Sequence, residues 1–89
     1  MQTREIKITN RLGLHARASA QIVRLASQFR CNVSLVCKGQ RASARSMLAV
    51  MMLAATMGST IRLETNGPDE SAAMSAMVQL IVDRFGEAI

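Results

Sequence analysis

Glu5-Ile6-Lys7-Ile8-Thr9, a connection from Asn10 to Leu14, and then His15-Ala16-Arg17-Ala18-Ser19-Ala20-Gln21-Ile22-Val23-Arg24-Leu25-Ala26-Ser27-Gln28-Phe29 change their apolar period part-way along. Residues 5–9 alternate polar and apolar, as a half-buried strand does. From Ala16 to Phe29, Ile22, Leu25, Ala26 and Phe29 recur at i, i+3, i+4 and i+7, the apolar stripe of one helix. Strand, connection and helix follow one another within 25 residues. The only histidine of the chain, His15, stands where the helix begins, two residues ahead of Arg17.

That position has chemical consequences. The first N–H groups of a helix have no intrahelical acceptor, and the aligned peptide dipoles leave partial positive charge there. Such an end attracts anions. A neutral imidazole is a nucleophile, and a guanidinium offers a fork of donors matched to phosphoryl oxygens. The pattern predicts a histidine that carries a phosphoryl group, with Arg17 steadying it and the backbone N–H groups of Ala16 and Arg17 binding the phosphate.

Further along, Val33 to Cys37 is strand-like, Lys38-Gly39 is a turn, and Gln40 to Ala44 is a short outer strand, together a hairpin. Ser46 is placed to cap a second helix from Met47 to about Ala55. Ile61 and Leu63 alternate with Arg62 and Glu64 in a fourth strand. Asn66-Gly67-Pro68-Asp69 is a turn, with Asp69 or a near neighbour capping the last helix. There Met74, Met77, Val78, Ile81 and Phe85 form the buried stripe and Gly86 ends it. The order β-α-β-β-α-β-α predicts an α+β sandwich, helices packed on one face of a sheet.

The 89 residues suffice for one domain, 1–89. With 49% apolar residues, and Phe29 and Phe85 the only aromatics, the core is aliphatic and methionine-rich. Net charge is +5, which suits an acidic partner without choosing one. No stretch has the length or composition of a secretory signal or a spanning helix, so the protein is read as soluble and cytoplasmic. Cys31 and Cys37, six positions apart in an extended segment, would lie about 20 Å apart. That is beyond disulfide reach, and the spacing is a poor zinc pattern. No metal and no cofactor is expected.

The helix from Met47 to Ala55 is apolar on nearly every side, and a surface helix cannot bury all of it. Methionine suits adaptable binding surfaces. Docking of protein partners is therefore expected at Met47, Leu48 and Met51, joined on the first helix by Ala20 and Arg24. Arg45 is a further candidate to face acidic groups.

Three anchors then carry a resemblance: Leu12-Gly13-Leu14-His15-Ala16-Arg17, Ser46 before a short apolar helix, and Gly67-Pro68-Asp69-Glu70 opening the last helix. With this order and spacing the chain resembles HPr, the histidine-containing phosphocarrier family of the bacterial phosphoenolpyruvate-dependent phosphotransferase system. The resemblance covers essentially the whole chain. It implies an open-faced sandwich, a four-stranded antiparallel sheet with three helices on one face. It implies that His15 takes a phosphoryl group from enzyme I, as a pros-phosphohistidine, and passes it to enzyme IIA components of sugar transport. The carrier would be a stoichiometric intermediate rather than an enzyme, and a monomer. Ser46 would be the site at which HPr kinase/phosphorylase acts in the lineages that possess it.

The family commonly has proline after the arginine, and here that residue is Ala18, followed by Ser19. Alanine leaves the helix start less restrained, at a cost of about a few tenths to 1 kcal/mol. Two alternatives stand beside the main reading. One is a phosphocarrier of the nitrogen-related regulatory phosphotransferase branch. The other is a small basic nucleic-acid-binding module, which the absence of strand aromatics and of a GxxG loop argues against. Nucleic acid and membrane insertion are therefore not expected.

Overall fold

The computed structural model describes residues 1–88. In chain order the elements are β1 (Gln2–Lys7), α1 (Ala16–Ala26), β2 (Asn32–Cys37), β3 (Gln40–Ser43), α2 (Met47–Met52), β4 (Thr60–Asn66) and α3 (Glu70–Val82), followed by a single tight turn, Arg84–Gly86. The strands form one antiparallel sheet in the order β1-β4-β2-β3. Register follows the apolar pattern: Ile6 lies opposite Ile61, and Leu35 lies between Leu63 and Ala42. Because side chains alternate across a sheet, these residues share one face with Val33 and Thr65, and the helices cover it. The predicted open-faced sandwich is the observed architecture.

Ile8, Ile22, Leu35, Ile61, Leu63 and Met77 are fully buried between helices and sheet. Each such side chain stabilises the fold by about 1.5–3 kcal/mol relative to remaining exposed. Cys31 and Cys37 are buried, unpaired thiols.

The ends of the elements depart from expectation for local reasons. β1 begins and ends earlier than the alternation at 5–9 implies. Ile8 lies beyond the strand, yet it is buried and bonds through its N–H to Ser59 O and through its carbonyl to Gly58 N–H. α1 stops at Ala26, where the Ser27 hydroxyl donates to Val23 O at 2.7 Å. Such a local bond competes with helix continuation. Phe29 therefore packs against the core from the connection rather than from the helix. α2 ends at Met52 instead of near Ala55, and Ala54 takes a left-handed backbone (φ 52°).

Two residues read as helical cap or stripe do something else. Phe85 does not continue α3. It lies in the left-handed turn after it (φ 56°), and that turn buries its ring. Asp69 occupies the N-cap position of α3, but its side chain makes no bond to that helix. Its two oxygens accept the N–H groups of Arg30 and Cys31, each at 2.8 Å. Gly67 permits that approach, since a Cβ there would lie 2.7 Å from Cys31. The Glu70 carboxylate accepts Gly67 N–H at 3.1 Å and so orders the turn into the helix.

Candidate functional site

The loop before α1 is pinned just ahead of His15. Gly13 N–H donates to Asn10 O, and Leu14 N–H donates to Ala55 O at 2.9 Å. Gly13 has φ 64°, and a Cβ on it would lie 2.4 Å from the Ala55 oxygen. Only glycine combines that left-handed backbone with so close an approach. Leu14 is buried below the loop, so the next residue emerges at the surface.

His15 is the N-cap residue of α1, with extended backbone and no side-chain bond to the helix. Ser19 N–H reaches His15 O at 2.8 Å. The N–H groups of Ala16, Arg17 and Ala18 precede it, with no carbonyl inside the helix to accept them. These donors and the positive end of the helix dipole stand at the helix start that His15 caps.

The ring itself is held from the far end of the chain. Nε2 of His15 lies 2.5 Å from Oε2 of Glu87, a residue that periodicity and motif spacing do not single out. The other carboxylate oxygen of Glu87 accepts from Asn10 Nδ2 at 3.2 Å. Burial disfavours the charged form of Glu87, but hydrogen bonds from His15 and Asn10 and the nearby charges of His15 and Arg17 outweigh it. Its carboxyl is thereby held below the usual range. Arg11, Leu12, His15, Arg17 and Glu87 together line one cleft. Two guanidiniums, the His15 ring and the Glu87 carboxylate face this cleft next to the start of α1, a set of groups chemically able to meet an anion and a cationic ring together.

Ser46 caps α2 as expected, its hydroxyl accepting Ala49 N–H at 3.2 Å. Val50 and Leu53 face inward, whereas Met47 and Met51 (each 38% exposed) and Leu48 (69%) face outward. Met52 joins them at 68%. Arg24 is exposed and Ala20 half-buried; with Arg17 they line a groove along α1. The expected docking residues thus occupy the surfaces of α1 and α2, which pack against each other. Arg45 is exposed, and its guanidinium donates to Phe29 O and Cys31 O, stitching the connection after α1. Among the described residues no group of three or more His, Cys, Asp or Glu side chains is placed to hold a metal ion.

A family model described as the PTS HPr component phosphorylation site matches residues 2–83. The chain belongs to the HPr family. It is 52% identical to the phosphocarrier protein HPr of Cupriavidus necator, over 98% of both sequences. It is 46% identical to HPr of Neisseria meningitidis, again over 98% of both. Among solved structures, HPr from Thermoanaerobacter tengcongensis superposes with a TM-score of 0.96 at 35% identity, covering 100% of both chains. An HPr dimer from the same organism gives a TM-score of 0.78 at 36% identity, covering 98% of this chain and 100% of that one. The fold, the family match and these relatives make this protein an HPr phosphocarrier of the bacterial phosphotransferase system.

The neighbours of His15 that the sequence does not single out are Glu87 and, through it, Asn10. Neither lies on a periodic face. Glu87 is 72 positions from His15, so no local spacing could have joined them. The turn Arg84–Gly86, with left-handed backbone at Arg84, Phe85 and Gly86, reverses the chain after α3 and delivers Glu87 to the site.

Proposed function

We propose that His15 is the phosphoryl acceptor of this carrier and that Nδ1 is the nucleophile. The observation that carries the reading is the engagement of Nε2 by Glu87 at 2.5 Å, which leaves Nδ1 as the ring nitrogen open to phosphorus. In the step, the Nδ1 lone pair forms the P–N bond as the donor's bond to phosphorus breaks. The ring keeps the proton on Nε2 and becomes cationic. Arg17 and the N–H groups of Ala16 and Arg17 balance the phosphoryl oxygens, and Glu87 faces the imidazolium.

The donor in this reading is enzyme I charged from phosphoenolpyruvate, and the acceptors are enzyme IIA components of sugar transport. The outward methionines and Leu48 of α2, with Ala20 and Arg24 of α1, supply a mixed apolar and basic docking surface. Ser46, exposed at the start of α2, is a regulatory phosphorylation site for HPr kinase/phosphorylase. The carrier works as a single domain that is consumed and regenerated by other phosphotransferases, in the cytoplasm.

Incubation with enzyme I and labelled phosphoenolpyruvate, followed by mapping of acid-labile phosphate, tests the reading. Label is expected on His15 alone and is expected to vanish in His15→Ala with the fold retained. Undiminished labelling of that variant would overturn it.

A further inference from the structure

We infer that Asn10 and Glu87 act as a pair of positioning residues that select the His15 tautomer before any partner arrives. The inference rests on the proposed phosphoryl chemistry of His15 and adds the device that chooses which ring nitrogen reacts. A neutral imidazole has one N–H and one lone pair, and the hydrogen bond at one nitrogen decides the state of the other. Glu87 is an acceptor only, since its carboxyl is held ionised. The group it meets at 2.5 Å must therefore be a donor, so the proton sits on Nε2 and the lone pair on Nδ1.

Asn10 explains why Glu87 stays in place. The Asn10 side chain is fully buried. Its amide nitrogen donates to Gly13 O at 2.9 Å and to Glu87 Oε1 at 3.2 Å. Both partners are acceptors, which fixes the amide with its NH2 group toward them. Its own Oδ1 is left buried with no partner among the described residues. Orienting the amide the other way would put Oδ1 against two acceptors. One buried side chain thus ties the turn that carries His15 to the carboxylate that grips His15. Arg11 and Arg17, from the loop and from α1, are the remaining charges facing this cleft. Neither can accept the Nε2 proton, so Glu87 alone sets the tautomer.

The test uses the whole protein without phosphate, which separates it from the reading it rests on. Nitrogen-resolved NMR of the imidazole, at a pH where the ring is neutral, reports the tautomer directly. The parent is expected to show the Nε2–H form almost exclusively. Glu87→Ala and Asn10→Ala should each show a mixture of both forms, and Glu87→Gln should weaken the bias as well, because a carboxamide has one oxygen to offer the two donors that the carboxylate serves. Kinetics with enzyme I supply the second readout. Glu87→Ala should lose about ten-fold or more in kcat, by analogy with metal-bound histidines that lose the partner orienting their ring, with KM for the carrier little changed. Asn10→Asp should fall at least as far as Asn10→Ala, because a second carboxylate expels Glu87.

An unaltered tautomer ratio in Glu87→Ala, or a mixture already present in the parent, would overturn the inference. So would parental kcat in Glu87→Ala. Glu87 is near the end of the chain and outside the core, so that variant decides the matter even if Asn10→Ala fails to fold. Phosphate mapped away from His15 alongside the expected tautomer shifts would instead overturn the function and leave the positioning pair standing.

Discussion

The carboxylate of Asp69 accepts the main-chain N–H of Cys31 at 2.8 Å, and its other oxygen accepts that of Arg30. The start of α3 is thereby fastened to the start of β2, 38 positions earlier. A residue that sequence alone reads as a helix cap is a long-range clamp, and α3 is left to the dipole and to Glu70 for its own N-terminus.

The clamp makes acid stability depend on Asp69. The Arg30 N–H bond lowers its pKa most; burial opposes this, and the bonds from Cys31 add to the lowering. A carboxyl whose folded pKa lies below its unfolded value contributes stability that is fully present above the unfolded value, near 4. That contribution is lost as pH falls through the folded value. Asp69→Asn should therefore show a lower thermal midpoint than the parent at pH 7. The two melting curves should converge as pH is lowered through about 4 and below. A constant gap across that range would assign the loss to geometry rather than charge.

Gly13→Ala combines a left-handed backbone with a Cβ 2.4 Å from Ala55 O. A cost of about 1–3 kcal/mol is expected from the backbone conformation, and the collision adds to it. Because the same turn carries His15, phosphorylation by enzyme I should slow as well. Denaturant unfolding and initial rates measure the two effects. Parental values for both would show the loop to be more yielding than its packing implies.

Arg17→Ala should separate function from folding. The guanidinium is exposed and makes no hydrogen bond or ion pair among the described residues, so stability should change by no more than about 0.5 kcal/mol. Phosphoryl transfer should slow by about ten-fold or more, the scale of one lost charge-assisted contact. Equal rates for variant and parent would remove Arg17 from the site.

Ser46 can be divided into its two roles. Ser46→Ala removes the bond to Ala49 N–H and should cost about 1 kcal/mol in unfolding free energy. Ser46→Asp keeps an acceptor and adds negative charge at a helix start, so it should fold at least as stably as the parent. If acidic partner groups approach this end of α2, the aspartate variant should need a higher concentration to saturate enzyme I. That gap should narrow as salt screens the repulsion. Identical KM for Ser46→Asp and the parent at low salt would limit Ser46 to capping.

Periodicity and punctuation were enough to order the elements. The alternation at Ile61 and Leu63, the stripe at Ile22 and Ala26, and the turn at Lys38-Gly39 are local patterns whose period already states which face is buried. The placement of His15 and Arg17 at a helix start was equally legible, because it depends only on residues a few positions away. The boundaries of α1 and α2 were not legible, since the Ser27 hydroxyl bond and the left-handed Ala54 compete locally with helix extension.

His15, Arg17 and the order of strands and helices could be read from residues 1–89 alone, because each rests on contacts within one turn or one strand. Glu87 on His15, Asn10 beneath Glu87 and Asp69 on Cys31 could not. Those partners lie 72, 77 and 38 positions apart, and only the closed sheet and the reversal after α3 bring them within hydrogen-bond distance. A carboxylate exerts no effect on a ring nitrogen until folding removes the water between them. The place of His15 at a helix start is written in the chain, and its carboxylate neighbour is supplied by tertiary packing.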